Sequence, residues 1–209
     1  MPTLAPHMRE ELARCAFDLF AERGIRHVTL DDVAAKAGVT KGSFYWHYKS
    51  KKELVLAAAA LYYREWQRQA HREIAGTTDP LEQLRRVWRH SVQMCLFDRA
   101  KRTFSTELFG LSLHDPEVRA SWAQFYDTVR ELYAGLVRSA RNAGCIGPVD
   151  PDRTADWMLA SFEGIKHRAS FQPQICTAEE SEALVNGLMQ ILESLSEAAR
   201  RQASPTVVS

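Results

Sequence analysis

Residues 28–54 read VTLDDVAAKAGVTKGSFYWHYKSKKEL. The stretch predicts two short helices, a tight turn between them and the start of a third. Thr29 has the side chain to cap a helix, and Asp32 follows at the spacing of a capping box. Val33, Ala34 and Ala37 then recur at helical spacing on one face. Gly38 ends that helix, because glycine enters the left-handed conformation without steric cost. Ala34 is small, so a second helix can cross close to it. Thr40 caps the second helix, which runs from Lys41 to about Tyr48. Phe44 and Tyr48 share its inward face and pack with Val39, which turns Lys41, Gly42, Tyr45 and Trp46 largely outward. Five lysines and no acid lie between Lys36 and Lys52. A short helix with an outward basic and aromatic face, held by a small crossing helix, is what a major-groove reader needs. Ser50 and Glu53 make a second capping box and open the third helix. Lys51 and Lys52 fall in its first turn, where lysine opposes the helix dipole unless an anion is near. Free N–H groups beside two lysines make that turn a candidate phosphate site.

Composition points the same way. The chain has 209 residues, 45% hydrophobic and 25% charged, as an ordinary globular protein does. Its net charge of +1 conceals an asymmetry: residues 1–52 carry nine Lys/Arg against six Asp/Glu. A local basic excess suits a nucleic-acid face. The four cysteines, Cys15, Cys95, Cys145 and Cys176, form no C-x-x-C pair, and predict a reduced, cytoplasmic protein. No apolar run approaches the ~20 residues of a membrane span. The N-terminus lacks the basic–apolar–small pattern of a signal peptide, so no membrane partner is expected.

The fold class expected is all-α with about nine helices. An N-terminal three-helix helix–turn–helix domain covers 1–52, a linking helix runs from about 50 to 74, and a helical ligand-binding and dimerisation domain covers 53–209. The first helix spans about 7–23, with Leu12, Ala16, Leu19 and Phe20 inward and Gly24 at its end. Arg9 on that helix is placed to graze a phosphate. Ala57–Ala60 give the linking helix high propensity and little bulk. Asp79-Pro80, Asp115-Pro116 and Asp150-Pro151 each set an N-cap acceptor before a proline suited to the first helical position. Thr177 with Glu180 adds another capping box. Further helices are expected at about 80–97, 101–112, 116–143, 151–168 and 178–201. No long period-two alternation or hairpin dipeptide appears. Residues 1–6 read as a loose arm and 204–209 as a disordered end.

The first third of the chain resembles the DNA-binding domain of the TetR family of bacterial one-component repressors. Ala16, Leu19, Phe20 and Gly24, then Thr29, Val33, Ala34 and the run AGVTKGSFYWHYKSKKEL, carry the likeness. The rest matches in helix layout, with a weaker similarity to the family's multidrug-efflux branch in residues 104–113 and 161–175. The resemblance implies that Thr40 and Lys41 meet base edges, with Lys41 donating to guanine O6/N7, and that Gly42 leaves room for the groove wall. It implies that Thr29, Ser43, Tyr45, His47, Lys49 and Lys51 hold phosphates, and that Trp46 meets sugar–phosphate or a thymine methyl. Lys49 and Lys52 read equally as solvated and His47 as a helix-end cap, while packing is the lesser alternative for Tyr45 and an alternative for Trp46.

Two apolar stripes close the chain: Met158, Leu159, Phe162 and Ile165, then Leu184, Leu188, Ile191, Leu192 and Leu195, with Gly187 allowing close approach. They suggest a homodimer formed as a four-helix bundle, the use the family makes of its last two helices, and alternatively an intramolecular core. Trp88, Val92, Leu96, Phe104, Leu108, Leu111, Phe125, Val129 and Tyr133 are the palette of an apolar effector pocket, and equally of a helical core. Glu107 either pairs with a cationic or polar group there or lies exposed with Arg102 and Thr103. Glu163 and His167 read as a surface pair or as interface groups.

No H-E-x-x-H, G-x-S-x-G or phosphate loop appears, and scattered His and Cys make no metal spacing. No enzyme, cofactor or metal is expected. The expected function is a ligand-responsive regulator, most naturally a repressor, released from palindromic double-stranded operator DNA when a small hydrophobic molecule binds the C-terminal domain. The resemblance implies that the helix from Ser50 then swings and changes the spacing of the two reading helices. The alternatives are an activator, a regulator switched by a protein partner, or a helical ligand-binding protein without DNA binding.

Overall fold

The computed structural model describes residues 4–203. They form nine α-helices, with no strand among the described residues. These are α1 (Leu4–Arg23), α2 (Leu30–Lys36), α3 (Lys41–His47), α4 (Lys51–Ala75), α5 (Pro80–Val92), α6 (Arg99–Ser112), α7 (Pro116–Asn142), α8 (Pro151–Ala169) and α9 (Ala178–Ala203). Short 3-10 turns occupy Ile25–His27 and Pro173–Ile175. Of the expected loose arm, residues 4–6 begin α1, while 1–3 lie outside the described residues, as does the expected end at 204–209.

The caps explain most boundaries. Asp79 accepts from the Leu81 N–H at 2.9 Å. Asp115 accepts from Glu117 and Val118, and Asp150 from Asp152 and Arg153. A fourth aspartate, Asp98, accepts from Lys101 at 3.1 Å and starts α6 at Arg99, two residues earlier than expected. The helix expected over 80–97 is α-helical only to Val92 and then widens into a π turn at Gln93–Phe97. Such widened turns insert one residue into the helical ladder.

The chain divides into two compact units. The first takes the chain up to Gln67 together with Asp98–Phe125, and the second takes Arg68–Phe97 together with the chain from Tyr126. The division falls inside α4 and α7, so each of those helices contributes to both units.

In the first unit α1 packs on α2 and α6. Leu12, Ala16, Leu19 and Phe20 are all buried, as their periodicity predicts. Phe104 of α6 meets Phe17 edge-on at 4.9 Å and lies parallel to Phe20 at 6.4 Å. Tyr63 of α4 stacks on Phe125 at 4.3 Å, and burial pushes its phenol up to about 12. Each such ring pair adds about 0.5–1.5 kcal/mol beyond its area burial.

In the second unit α5 packs on α9. Arg89 forks onto Glu182 at 2.7 and 3.1 Å, and Arg85 donates to Asn186 at 2.8 Å. Arg130 of α7 reaches Asp156 and Asp152 on α8. These pairs are exposed and fix register more than they stabilise. Inside, Tyr133 donates to the Ser91 hydroxyl at 2.8 Å, and Ser91 donates to the Val87 carbonyl at 3.0 Å. Gly147 donates its N–H to Ser196 of α9. A Cβ on Gly147 would meet the Ser196 backbone carbonyl and come within 2.9 Å of Arg200 Cγ. Gly147→Ala is therefore expected to lower stability by about 1–3 kcal/mol in urea denaturation, and unchanged stability would show that the 147 loop does not approach α9 this closely.

Candidate nucleic-acid interface

The helix–turn–helix is built by caps on both sides of one turn. The Thr29 hydroxyl accepts from the Asp32 N–H at 3.1 Å, and the Asp32 carboxylate accepts from the Thr29 N–H at 2.7 Å, which completes the expected capping box. The Thr29 hydroxyl also donates to the Asp32 carboxylate at 2.6 Å, and that bond, with the one from the Thr29 N–H, holds the carboxyl below its ordinary range. At the other end of α2, Gly38 sits at φ 67. Its N–H reaches the Ala35 carbonyl and the Val39 N–H reaches the Ala34 carbonyl, the double bond of a Schellman ending. Thr40 then caps α3 by accepting from the Ser43 N–H at 3.2 Å.

Phe44 and Tyr48 are each only 1% exposed, and they set the phase of α3. The Tyr48 hydroxyl donates to the Arg9 carbonyl at 2.9 Å, and the Arg9 guanidinium lies 4.8 Å above the Tyr48 ring. Arg9 thus ties the end of α3 to α1 while its side chain remains exposed. With those two rings inside, Lys41, Gly42, Ser43, Tyr45 and Trp46 face solvent. Tyr45 is 43% exposed and Trp46 72%. Trp46 meets His47 edge-on at 5.4 Å, and His47 is half-buried. Val39 is half-buried rather than core. Nothing in the described chain approaches the space beside Gly42 within 4 Å.

The lysines are engaged unequally. Lys41 binds the Asp31 carboxylate, whose hydrogen bond and charge raise the lysine's affinity for its proton. Lys49 donates to the Tyr45 carbonyl. Lys52 pairs with Glu117 at 2.6 Å and Asp115 at 3.7 Å. Lys51 is half-buried and donates to the Arg26 carbonyl at 3.2 Å. Burial lowers its pKa, against the pull of Glu107 and Asp32. The second capping box is shifted by one: Ser50 accepts from the Glu53 N–H, but the Glu53 carboxylate accepts from Lys49.

The effector residues expected from sequence fall in both units. Trp88, Val92, Leu96, Val129 and Tyr133 belong to the second, and Phe104, Leu108, Leu111 and Phe125 to the first. All are buried except Leu111, which is half-buried. Glu107 does neither thing expected of it. It turns to the Ile25–His27 turn and accepts from the Ile25 N–H, because Gly24 leaves it room. Glu163 pairs with Lys166 at 3.2 Å instead of His167, which lies edge-on to Phe171 at 5.7 Å. Lys166 is 5% exposed, and the Glu163 carboxylate that pairs with it is half-buried. The Tyr126 hydroxyl donates to the same carboxylate, and burial raises that phenol far above its ordinary range. The Trp88 indole N–H is buried with no hydrogen-bond partner among the described residues. Spacing shows the Glu163–Lys166 pair, three residues apart on α8, but not Tyr126, which joins it from α7.

The expected dimer stripes need correction. Met158, Phe162 and Leu188 are buried within a single chain, and so is Leu192. Ile165, Leu184 and Leu195 are half-buried. The outward apolar residues of α8 and α9 are Trp157, 49% exposed, and Ile191, 47% exposed. Helices apolar on more than one side obscure this in sequence, because a stripe does not say which neighbour it meets.

Comparison with known proteins bears on both units. A family model described as "Bacterial regulatory proteins, tetR family" matches residues 14–58. A second, described as "BetI-type transcriptional repressor, C-terminal", matches residues 80–200. The transcriptional regulator TtgR of Pseudomonas putida is 27% identical over 169 residues, covering 78% of this chain and 80% of its own. The transcriptional repressor KstR2 of Mycolicibacterium smegmatis is 30% identical over 132 residues, 58% of this chain, and the match spans 64% of KstR2. A protein from Saccharomonospora viridis crystallised with choline superposes with a TM-score of 0.81 at 20% identity, covering 88% of this chain and 96% of that one. A TetR transcription regulator from Haloarcula marismortui gives a TM-score of 0.78 at 16% identity, covering 93% and 98%. At these identities the structural likeness is one of fold.

The caps around α3 can be tested without any partner. Thr40→Ala should cost about 1 kcal/mol in chemical denaturation and Thr40→Ser much less. Equal losses would show that the hydroxyl is not the cap.

Proposed function

We infer the function from one premise: the chain belongs to the TetR family of bacterial regulatory proteins. It is a DNA-binding transcriptional regulator. On our reading it acts in the cytoplasm as a repressor, released from its operator by a small molecule. The observation that carries DNA reading is the outward side of α3: Lys41, Gly42, Ser43, Tyr45 and Trp46 exposed around a buried Phe44 and Tyr48. A helical glycine costs roughly 1 kcal/mol against alanine, and nothing in the described chain packs beside Gly42. Close approach of a groove wall would account for it. Lys41 and Thr40 are assigned to base edges. Thr29, Ser43, Tyr45, His47 and Lys49 are assigned to phosphates, with Lys51 and Trp46 at the rim. Lys41 must leave Asp31 to reach a base.

Two subunits on a palindromic operator would place one α3 in each of two major grooves. The outward Trp157 and Ile191, with Leu195 lining one concavity with Trp157, support α8 and α9 as the surface that joins the copies. For the effector, the second unit offers apolar bulk from Val92, Leu96 and Val129 with the unpartnered Trp88 N–H. A buried donor without an acceptor is costly, which favours a mostly apolar compound carrying one acceptor. Choline, a cation crystallised with the Saccharomonospora viridis protein, is a compound to try beside the apolar ones rather than an example of them.

Selection of duplexes from a random pool, followed by gel shifts, tests the reading. An inverted repeat should emerge. Log affinity should fall against log salt with a slope of roughly −0.9 per phosphate neutralised. Tyr45→Ala should weaken every duplex alike, whereas Lys41→Ala should lose about 1–3 kcal/mol of discrimination at particular positions. Identical sequence profiles for the two variants would contradict the assigned roles. Any compound that releases the duplex must itself bind more weakly, by the same factor, when the duplex is present. Equal affinity with and without DNA would rule out the switch.

A further inference from the structure

The turn at Ile25–His27 joins α1 to α2, and it is held from outside the helix–turn–helix. The Ile25 N–H donates to the Glu107 carboxylate on α6, 82 residues along the chain. Gly24, just before it, sits at φ 86. A Cβ there would land on Glu107 Oε1 and lie 3.2 Å from Glu107 Cδ. Glycine is therefore required at 24 for its backbone conformation and for the carboxylate's approach. Lys51, the first residue of α4, donates to the Arg26 carbonyl at 3.2 Å, and Glu107 attracts its ammonium. A carboxylate from α6 and an ammonium from α4 thus grip successive residues of one three-residue turn. Phe104 and Leu108, both fully buried, flank Glu107 in sequence. Phe104 seats α6 on α1 through Phe17 and Phe20.

The grip matters because the turn leads directly into the reading helices. Val28 is buried and Thr29 is the N-cap of α2. Little slack separates Ile25 from that cap, so the placement of the turn sets the direction in which α2 and then α3 leave α1.

Resting on the DNA-binding reading above, we infer that Glu107 is a positioning residue for DNA binding. It touches no DNA. It satisfies the Ile25 N–H and holds the turn in the one arrangement from which α3 is presented. Without the acceptor the turn samples other arrangements. The apparent DNA affinity then falls in proportion to the fraction of molecules that keep the competent one.

The test uses the full chain and a duplex enriched by the wild-type protein from a random pool. Glu107→Met keeps length and bulk but removes the acceptor. Glu107→Gln keeps an oxygen that can accept from Ile25. Glu107→Met should lose roughly tenfold in affinity on strong and weak duplexes alike. Its salt slope should be unchanged, because no phosphate contact is lost. Glu107→Gln should stay within about threefold, retaining the bond and losing only the attraction to Lys51. Hydrogen exchange at the Ile25 amide should speed up in the Met variant and not in the Gln variant. A role confined to packing would lower the melting temperature and leave both the affinity and the Ile25 exchange pattern as in wild type. If Glu107→Met does not fold, Glu107→Ala carries the same expectation, since it removes the acceptor without adding bulk beside Gly24. Wild-type affinity in the folded variant, or an equal loss in the Met and Gln variants, would overturn the role. A wild-type protein that enriches no duplex would instead overturn the DNA-binding reading and this role with it.

Discussion

Two buried rings, one on a seven-residue helix and one on its C-cap residue, govern this protein. A helix as short as α3 does not hold itself together in water. Its existence and its rotation about its own axis come from Phe44 and Tyr48, four residues apart and almost wholly removed from solvent. Once those two face inward, the periodicity of the helix turns Lys41, Gly42, Tyr45 and Trp46 outward. The hydroxyl of Tyr48 and the guanidinium of Arg9 tie the same helix to α1, so the presenting surface is rigid on the side away from its partner. Rigidity at that point matters because base-edge contacts are directional and a rotated helix forfeits several at once.

That anchoring is legible in the sequence because its signals are local. Thr29 with Asp32, Gly38, Thr40 and the aspartate–proline pairs each act on residues two to four positions away, and each is found where its chemistry requires. Asp98 caps a helix just as well without a following proline, and it escapes notice for want of that second mark. The π turn after Val92 has no such local signature, since Gln93–Phe97 reads as ordinary helix.

The side chains that sequence alone misplaces are those whose partners are distant along the chain. Glu107 between apolar neighbours suggests a pocket, yet its partner is a backbone N–H in a turn 82 residues earlier. Lys51, read from sequence as a phosphate ligand, has a second partner that sequence does not show, the Arg26 carbonyl. Met158, Phe162 and Leu188 resemble an interface and lie in the interior of one chain, while Trp157, outside the expected stripe, is an exposed apolar residue. Periodicity reports that a face is apolar and is silent on whether its neighbour belongs to the same chain. Only packing decides that.

The direct test of the outward α3 is oxidative footprinting of the full-length protein with and without its selected duplex. Tyr45 and Trp46 should be oxidised readily in the free protein and strongly protected on the DNA, with Tyr48 unreactive in both states. Bound protein in which Tyr45 and Trp46 stay as reactive as before would contradict the assignment of α3 as the reading helix.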